Sequence, residues 1–157
     1  IISAVLKGTN FEVFGAIKPI LEKIAKEIFH LQTPSSATKM KLINNLCLGS
    51  FMVTLAECTA LAENCDIPKA KALEILGVGG GQSLVLKAKT QKLIDEDFSP
   101  HFSNNAINKD LHLLQDLAYN LQQPLYSAAI PKELFSKMKM MGKGEEDFSS
   151  IYQLFKK

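Results

Sequence analysis

The sequence predicts an all-α domain preceded by a short strand-helix-strand segment. Three observations carry this. Apolar residues recur at three- and four-residue steps along most of the chain, Pro and Gly clusters punctuate those runs, and only Ile1 to Leu6 and Ile28 to Leu31 read as strands. With 157 residues, 46% hydrophobic and 22% charged, the chain can bury a sizeable core and is neither disordered nor of low complexity. No repeat of solenoid period stands out.

The chain opens on its first strand without an initiator methionine. That strand has only Ile28 to Leu31 to pair with here, so we expect a piece of a longer chain whose sheet lies upstream. Thr9 or Asn10 can cap a first helix, with Phe11, Phe14, Ile17, Leu21 and Ile24 on its apolar face and its end near Lys26. After the extended piece Glu27 to Leu31, Thr33-Pro34-Ser35-Ser36 supplies a turn and a cap. The longest element then runs to about Cys65. From Leu42 to Leu61 it is apolar nearly all round, which predicts a long helix buried on most sides. A membrane-associated helix is the rival reading. Asn44, Asn45, Ser50, Thr54 and Glu57 interrupt the run short of the ~20 clean residues a bilayer needs, which favours a central soluble helix and no membrane partner.

Asp66-Ile67-Pro68 starts a short helix through Leu76, with Pro expected at an early helical position. Gly77-Val78-Gly79-Gly80-Gly81 ends it; a phosphate-binding glycine loop fails because Gln82 stands where a glycine is needed and no strand precedes it. Gln82 to Leu93 reads as the next helix, and Asp95 to Phe102 as an acidic and aromatic loop. Asn105 to Leu121 follows as a helix carrying Leu111, Leu114, Leu117, Ala118 and Leu121 inward. Gln122-Gln123-Pro124 stops it, Pro131 opens or kinks the next, Gly142-Lys143-Gly144 breaks that one, and Asp147 or Ser149 caps a last short helix to Phe155.

Eighteen basic residues, every one a lysine, against sixteen acidic ones leave a charge of +2 without a basic block, which predicts no nucleic-acid surface. A chain without arginine lacks the planar fork that grips phosphates in bidentate fashion, which disfavours a phosphorylated ligand held by this segment alone. Cys47, Cys58 and Cys65 cannot pair completely and follow no secretory leader, so a cytoplasmic location is expected. Their spacing places them on one arc of the long helix as core residues; no metal site is expected, because no His or Cys-x-x-Cys lies beside them.

Two places carry possible chemistry. Thr38, Lys41 and Asn45 share one face at the start of the long helix, where a lysine beside a buried rod loses hydration, disfavouring its charged form and equipping the amine as acid or base. The second is Phe102 followed by Lys109-Asp110-Leu111, where an aromatic that can lie against a flat ligand precedes a helix. Taken alone, the Lys109-Asp110 pair reads as surface decoration. His30, His101 and His112 have no ligand-spaced partner and no legible Ser or Cys nucleophile arrangement.

Together these pieces resemble the C-terminal part of the β-hydroxyacid dehydrogenase family, which includes 3-hydroxyisobutyrate dehydrogenase, tartronate semialdehyde reductase and the glyoxylate/succinic semialdehyde reductases. The carriers are Lys41-Leu42-Ile43-Asn44-Asn45, Phe102 before Lys109-Asp110-Leu111, and Gly142-Lys143-Gly144 with Asp147-Phe148-Ser149. The resemblance implies that residues 1–33 are the remnant of a Rossmann domain and residues 34–157 an all-helical substrate and dimerisation domain. NAD or NADP would be bound mainly by the N-terminal domain absent from this sequence. It further implies Lys41 as catalytic acid/base, Asn45 and Asn44 as substrate-binding, and Lys109 and Phe102 on the cofactor side, in an enzyme interconverting a small 3-hydroxyacid and its semialdehyde. The fragment by itself is expected to be inactive, and the absence of arginine tells against the related 6-phosphogluconate dehydrogenase. One departure stands out: the family places glycines six and four residues before the lysine, where this chain has Ser35 and Ala37. The competing expectation is a non-catalytic helical module kept for dimerisation or partner binding.

Overall fold

In the computed structural model of the protein, residues 3–7, 11–31, 33 and 35–157 are described, β1 and Phe11 by backbone alone. The elements are β1 (Ser3–Lys7), α1 (Phe11–Leu21), β2 (Glu27–Leu31), α2 (Ser36–Asn64), α3 (Lys69–Val78), α4 (Leu84–Asp95), α5 (Asn104–Asn120), α6 (Tyr126–Met140) and a 3-10 helix, Phe148–Leu154. They group into two compact units, Ile1–Asn44 and Asn45–Lys157.

In the first unit β1 and β2 pair in parallel, from Ser3 opposite Glu27 to Lys7 opposite Leu31, with α1 as the crossover that parallel strands require. His30 stacks on Phe14 with ring centroids 4.4 Å apart. The expected cap at Thr9 or Asn10 lies outside the described residues. α1 stops at Leu21, short of Lys26: Lys23 and Ile24 donate to Ile20 and Leu21, tight turn bonds that leave Ile24 exposed instead of on an apolar helix face. Val13, Ile20 and Phe29 are exposed as well, since two strands and one helix cannot cover both faces of a sheet.

The second unit packs around Met52, Val53, Ala56 and Ala60 of α2, with Leu73, Leu86 and Leu93, Ile107 and Leu111, Phe135 and Met138, and Phe148, Ile151 and Tyr152 converging from the elements that follow. Gly49 permits close approach of α5: a Cβ there would stand 3.3 Å from Leu111 Cδ1 and 3.5 Å from Ile107. This approach selects which side of α2 is buried. The helix is therefore covered on one side only, with 44% of its most apolar window buried, and it meets by length and composition the requirements of a membrane span. Ile43, Phe51 and Leu61 are exposed, and so are Cys47, Cys58 and Cys65, which the spacing alone had assigned to the core. Their shared arc is real but faces away from Met52, Ala56 and Ala60.

Helix ends follow local chemistry. Ser83, Ser103 and Asp147 accept, through their side chains, amide hydrogens of Leu86, Ala106 and Ser149 at the starts of α4, α5 and the 3-10 helix. α2, α4, α5 and α6 each end on a left-handed residue: Asp66, Glu96, Gln122 and Gly142. The next amide then reaches back to Ala62, Lys92, Ala118 and Met138 respectively, the Schellman closure. Pro68 sits at the N-cap of α3, not inside its first turn, and the last helix is 3-10, not α. Pro131 lies within α6, which begins at Tyr126. A proline there removes the amide that would bond Ser127 O, and Ser50 Oγ of α2 donates to that carbonyl instead, at 3.2 Å.

Candidate active site

The polar centre of the second unit is a buried pair contributed by two helices. Asn45 of α2, 5% exposed, donates Nδ2–H to Oδ2 of Asp110 in α5 at 2.7 Å; Asp110 is 2% exposed. Asp110 falls on the side of α5 that carries Ile107, Leu111 and Leu114 inward, so its carboxylate is taken into the core with them. Lys109, one residue back, turns outward with its side chain 67% exposed, and its Nζ stands 3.8 Å from Asp110 Oδ1. The structure thus joins Asn45 to the Lys109 turn through Asp110, which is no surface decoration. Lys41 and Asn44 lie on α2 and are exposed.

Phe102 lies outside that pair's two helices in the chain. It sits in the loop before α5 and is fixed by a second buried centre around Asp147. Its N–H donates to Asp147 Oδ2 at 3.2 Å, its carbonyl accepts from Phe148 N at 2.9 Å, and its ring meets the Phe148 ring edge-on at 5.9 Å. Asp147 Oδ2 also accepts from His101 N and, at 2.8 Å, from Lys89 Nζ, while Oδ1 accepts from Ser149 N and Oγ. Burial pushes the Asp147 carboxyl up, but the Lys89 ammonium, the Ser149 hydroxyl and amide and the His101 amide outweigh it and hold the group below its ordinary value. Gly142 and Gly144 precede Asp147 in the chain. Gly142 takes the left-handed conformation, and Gly144 lies so close to Asn105 that a Cβ would fall 2.6 Å from its Oδ1.

Sequence reasoning singled out Asp147 as a helix cap but missed Lys89. The signal was present: Leu86, Lys89 and Leu93 are spaced as one apolar face, so a lysine there must either snorkel outward or find a buried partner. His112 Nε2 stands 3.5 Å from Ser136 Oγ, whose hydroxyl already donates to Lys132 O. No group of three potential metal ligands gathers among the described residues. An open apolar cavity of about 330 Å³ beside α2, lined by Phe51, Leu55, Cys58, Leu76 and residues 80–83, holds none of the predicted site residues.

The helical unit thus holds two buried carboxylates, Asp110 and Asp147, each bound by a donor from another helix. Residues 35–155 match the family described as the NAD-binding of NADP-dependent 3-hydroxyisobutyrate dehydrogenase, and the chain belongs to that family. It is 32% identical over 152 residues to 2-(hydroxymethyl)glutarate dehydrogenase of Eubacterium barkeri, a match covering 96% of this chain and 50% of that protein. Likeness at 31% over 148 residues extends to the cytokine-like nuclear factor N-PAC of Drosophila melanogaster, covering 94% of this chain and 25% of that protein. In structure the chain is similar to 3-hydroxyisobutyrate dehydrogenase from Salmonella typhimurium, with a TM-score of 0.88, 27% identity, and coverage of 94% of this chain and 52% of the other. The chain spans about half the length of the dehydrogenases it matches.

Proposed function

We propose that this chain is the C-terminal half of an NAD(P)-dependent oxidoreductase that interconverts a small 3-hydroxyacid and its semialdehyde. The observation that carries the reading is the buried Asn45–Asp110 hydrogen bond with Lys109 beside it, because it links the two motif segments that the resemblance assigns to substrate and cofactor. The dinucleotide, when bound, supplies or takes up the hydride. Lys41 Nζ gives a proton to the carbonyl oxygen in reduction and takes the hydroxyl proton in oxidation. Asn45 and Asn44 hold the substrate. Asp110 holds one Asn45 amide hydrogen, which fixes which way that amide faces. Lys109, with its exposed ammonium, and Phe102, with its clamped backbone, fit the cofactor side, while most of the dinucleotide contacts belong to an N-terminal domain beyond this chain. The exposed apolar residues Phe51 and Leu61 of α2 suit a homodimer through the helical unit.

The test is NADH and NADPH oxidation by the complete gene product against glyoxylate, succinic semialdehyde and methylmalonate semialdehyde. Lys41→Ala is expected to lower kcat by about 10²- to 10⁴-fold with the fold unchanged; undiminished turnover in that variant rejects the assignment. A second reading, a helical dimerisation or partner-binding module without turnover, is favoured by the likeness to a nuclear factor and by the same exposed α2 residues. It predicts a folded dimer silent with every cofactor and substrate pair.

A further inference from the structure

We infer that Lys89 is a positioning residue for the cofactor side of the site, acting through Asp147 and Phe148 to fix where Phe102 presents its ring. The inference rests on the reading of Phe102 proposed above. Lys89 touches both supports of Phe102: its Nζ bonds the carboxylate oxygen that accepts the Phe102 amide, and it lies 4.8 Å from the centroid of the Phe148 ring against which Phe102 packs. One turn later on α4, Lys92 is also buried, and its Nζ reaches Ser99 O at 2.7 Å and Asp97 O at 3.2 Å. Two buried lysines on one helix face thus pin the beginning and the end of the loop that carries Phe102.

Stability alone does not explain Lys89. A buried ion pair recovers little beyond the desolvation of its two charges, and an apolar pair of similar volume is often as stable. An ammonium does supply a directional bond that holds the Asp147 carboxylate in one rotamer, so that one oxygen faces the His101 and Phe102 amides and the other faces Ser149. A methionine in the same place fills the space without fixing that rotamer.

The experiment is a double-mutant cycle in the complete gene product, with Lys89→Met and Phe102→Leu made singly and together and dinucleotide KM and kcat measured on protein shown to be folded. If Lys89 acts through Phe102, Lys89→Met lowers kcat/KM on the order of 10²-fold, as displacement of a positioned group does, and adds little in the Phe102→Leu background. Lys89→Met with wild-type constants, or effects of the two substitutions that multiply, overturns the inference. A purely structural lysine would lower the unfolding midpoint and leave both constants per folded molecule unchanged. Should Lys89→Met not fold, Ser149→Ala, which removes one bond from the other Asp147 oxygen, takes its place in the cycle: loss that vanishes in the Phe102→Leu background supports the inference, and unchanged constants or multiplying effects overturn it. Wild-type protein that turns over no substrate overturns the dehydrogenase reading itself, an outcome separate from an active enzyme indifferent to Lys89.

Discussion

Replacing Asp147 by asparagine keeps the shape of the side chain and removes its charge, which isolates what the buried ion pair contributes. At 2.8 Å and an effective dielectric constant of about 20, the Lys89 and Asp147 charges attract by about 6 kcal/mol, against a desolvation cost of several kcal/mol per ion. The substituted amide can still accept from Lys89, His101 and Phe102 if its oxygen replaces Oδ2, but its nitrogen then faces the Ser149 amide and the cap bond is lost. Leaving Lys89 buried without its counter-charge should therefore cost about 3–5 kcal/mol in urea unfolding followed by far-UV circular dichroism. The double variant Lys89→Met with Asp147→Asn should recover part of that loss. Stability against pH gives the sign. In the wild type the Asp147 carboxyl is held below its ordinary value, so its contribution is present above the unfolded value of about 3.9 and is lost as pH falls through the folded value. A loss under about 1 kcal/mol would refute the reasoning.

Two further substitutions test backbone geometry. Ser35 has φ +69°, so Ser35→Gly should relieve left-handed strain and stabilise the protein by up to about 1 kcal/mol; a destabilised variant would show that the serine side chain holds the entrance to α2. Gly144→Ala should lower stability by about 1–3 kcal/mol, because its Cβ would meet Asn105 Oδ1 at 2.6 Å; thermal unfolding at the wild-type midpoint would mean that Asn105 moves freely aside.

Much of the architecture was legible because helix periodicity and punctuation are local. The Gly142-Lys143-Gly144 break, the Asp147 cap and the stop before Pro124 were each readable from a few neighbouring residues. Which side of α2 is buried was not readable, since a helix apolar all round has no preferred face until a neighbour approaches. Gly49 and the small residues Ala56 and Ala60 settled it, leaving Cys47, Cys58 and Cys65 outside. The motif residues Lys41, Asn45, Phe102 and Lys109 took their roles from the resemblance, but the partner of Asn45 lies 65 positions away and that of Lys89 58 positions away, separations that spacing rules do not reach.

Backbone preference and apolar period act over a few residues, so the helical class, the order of the elements and the side chains able to carry chemistry were already written into the chain before any packing. That Asp110 and Asp147 become interior carboxylates, each held by a donor from a different helix, followed from the packing alone. A charge can be kept in the core only where distant donors converge on it, and that convergence exists only once the helices have come together.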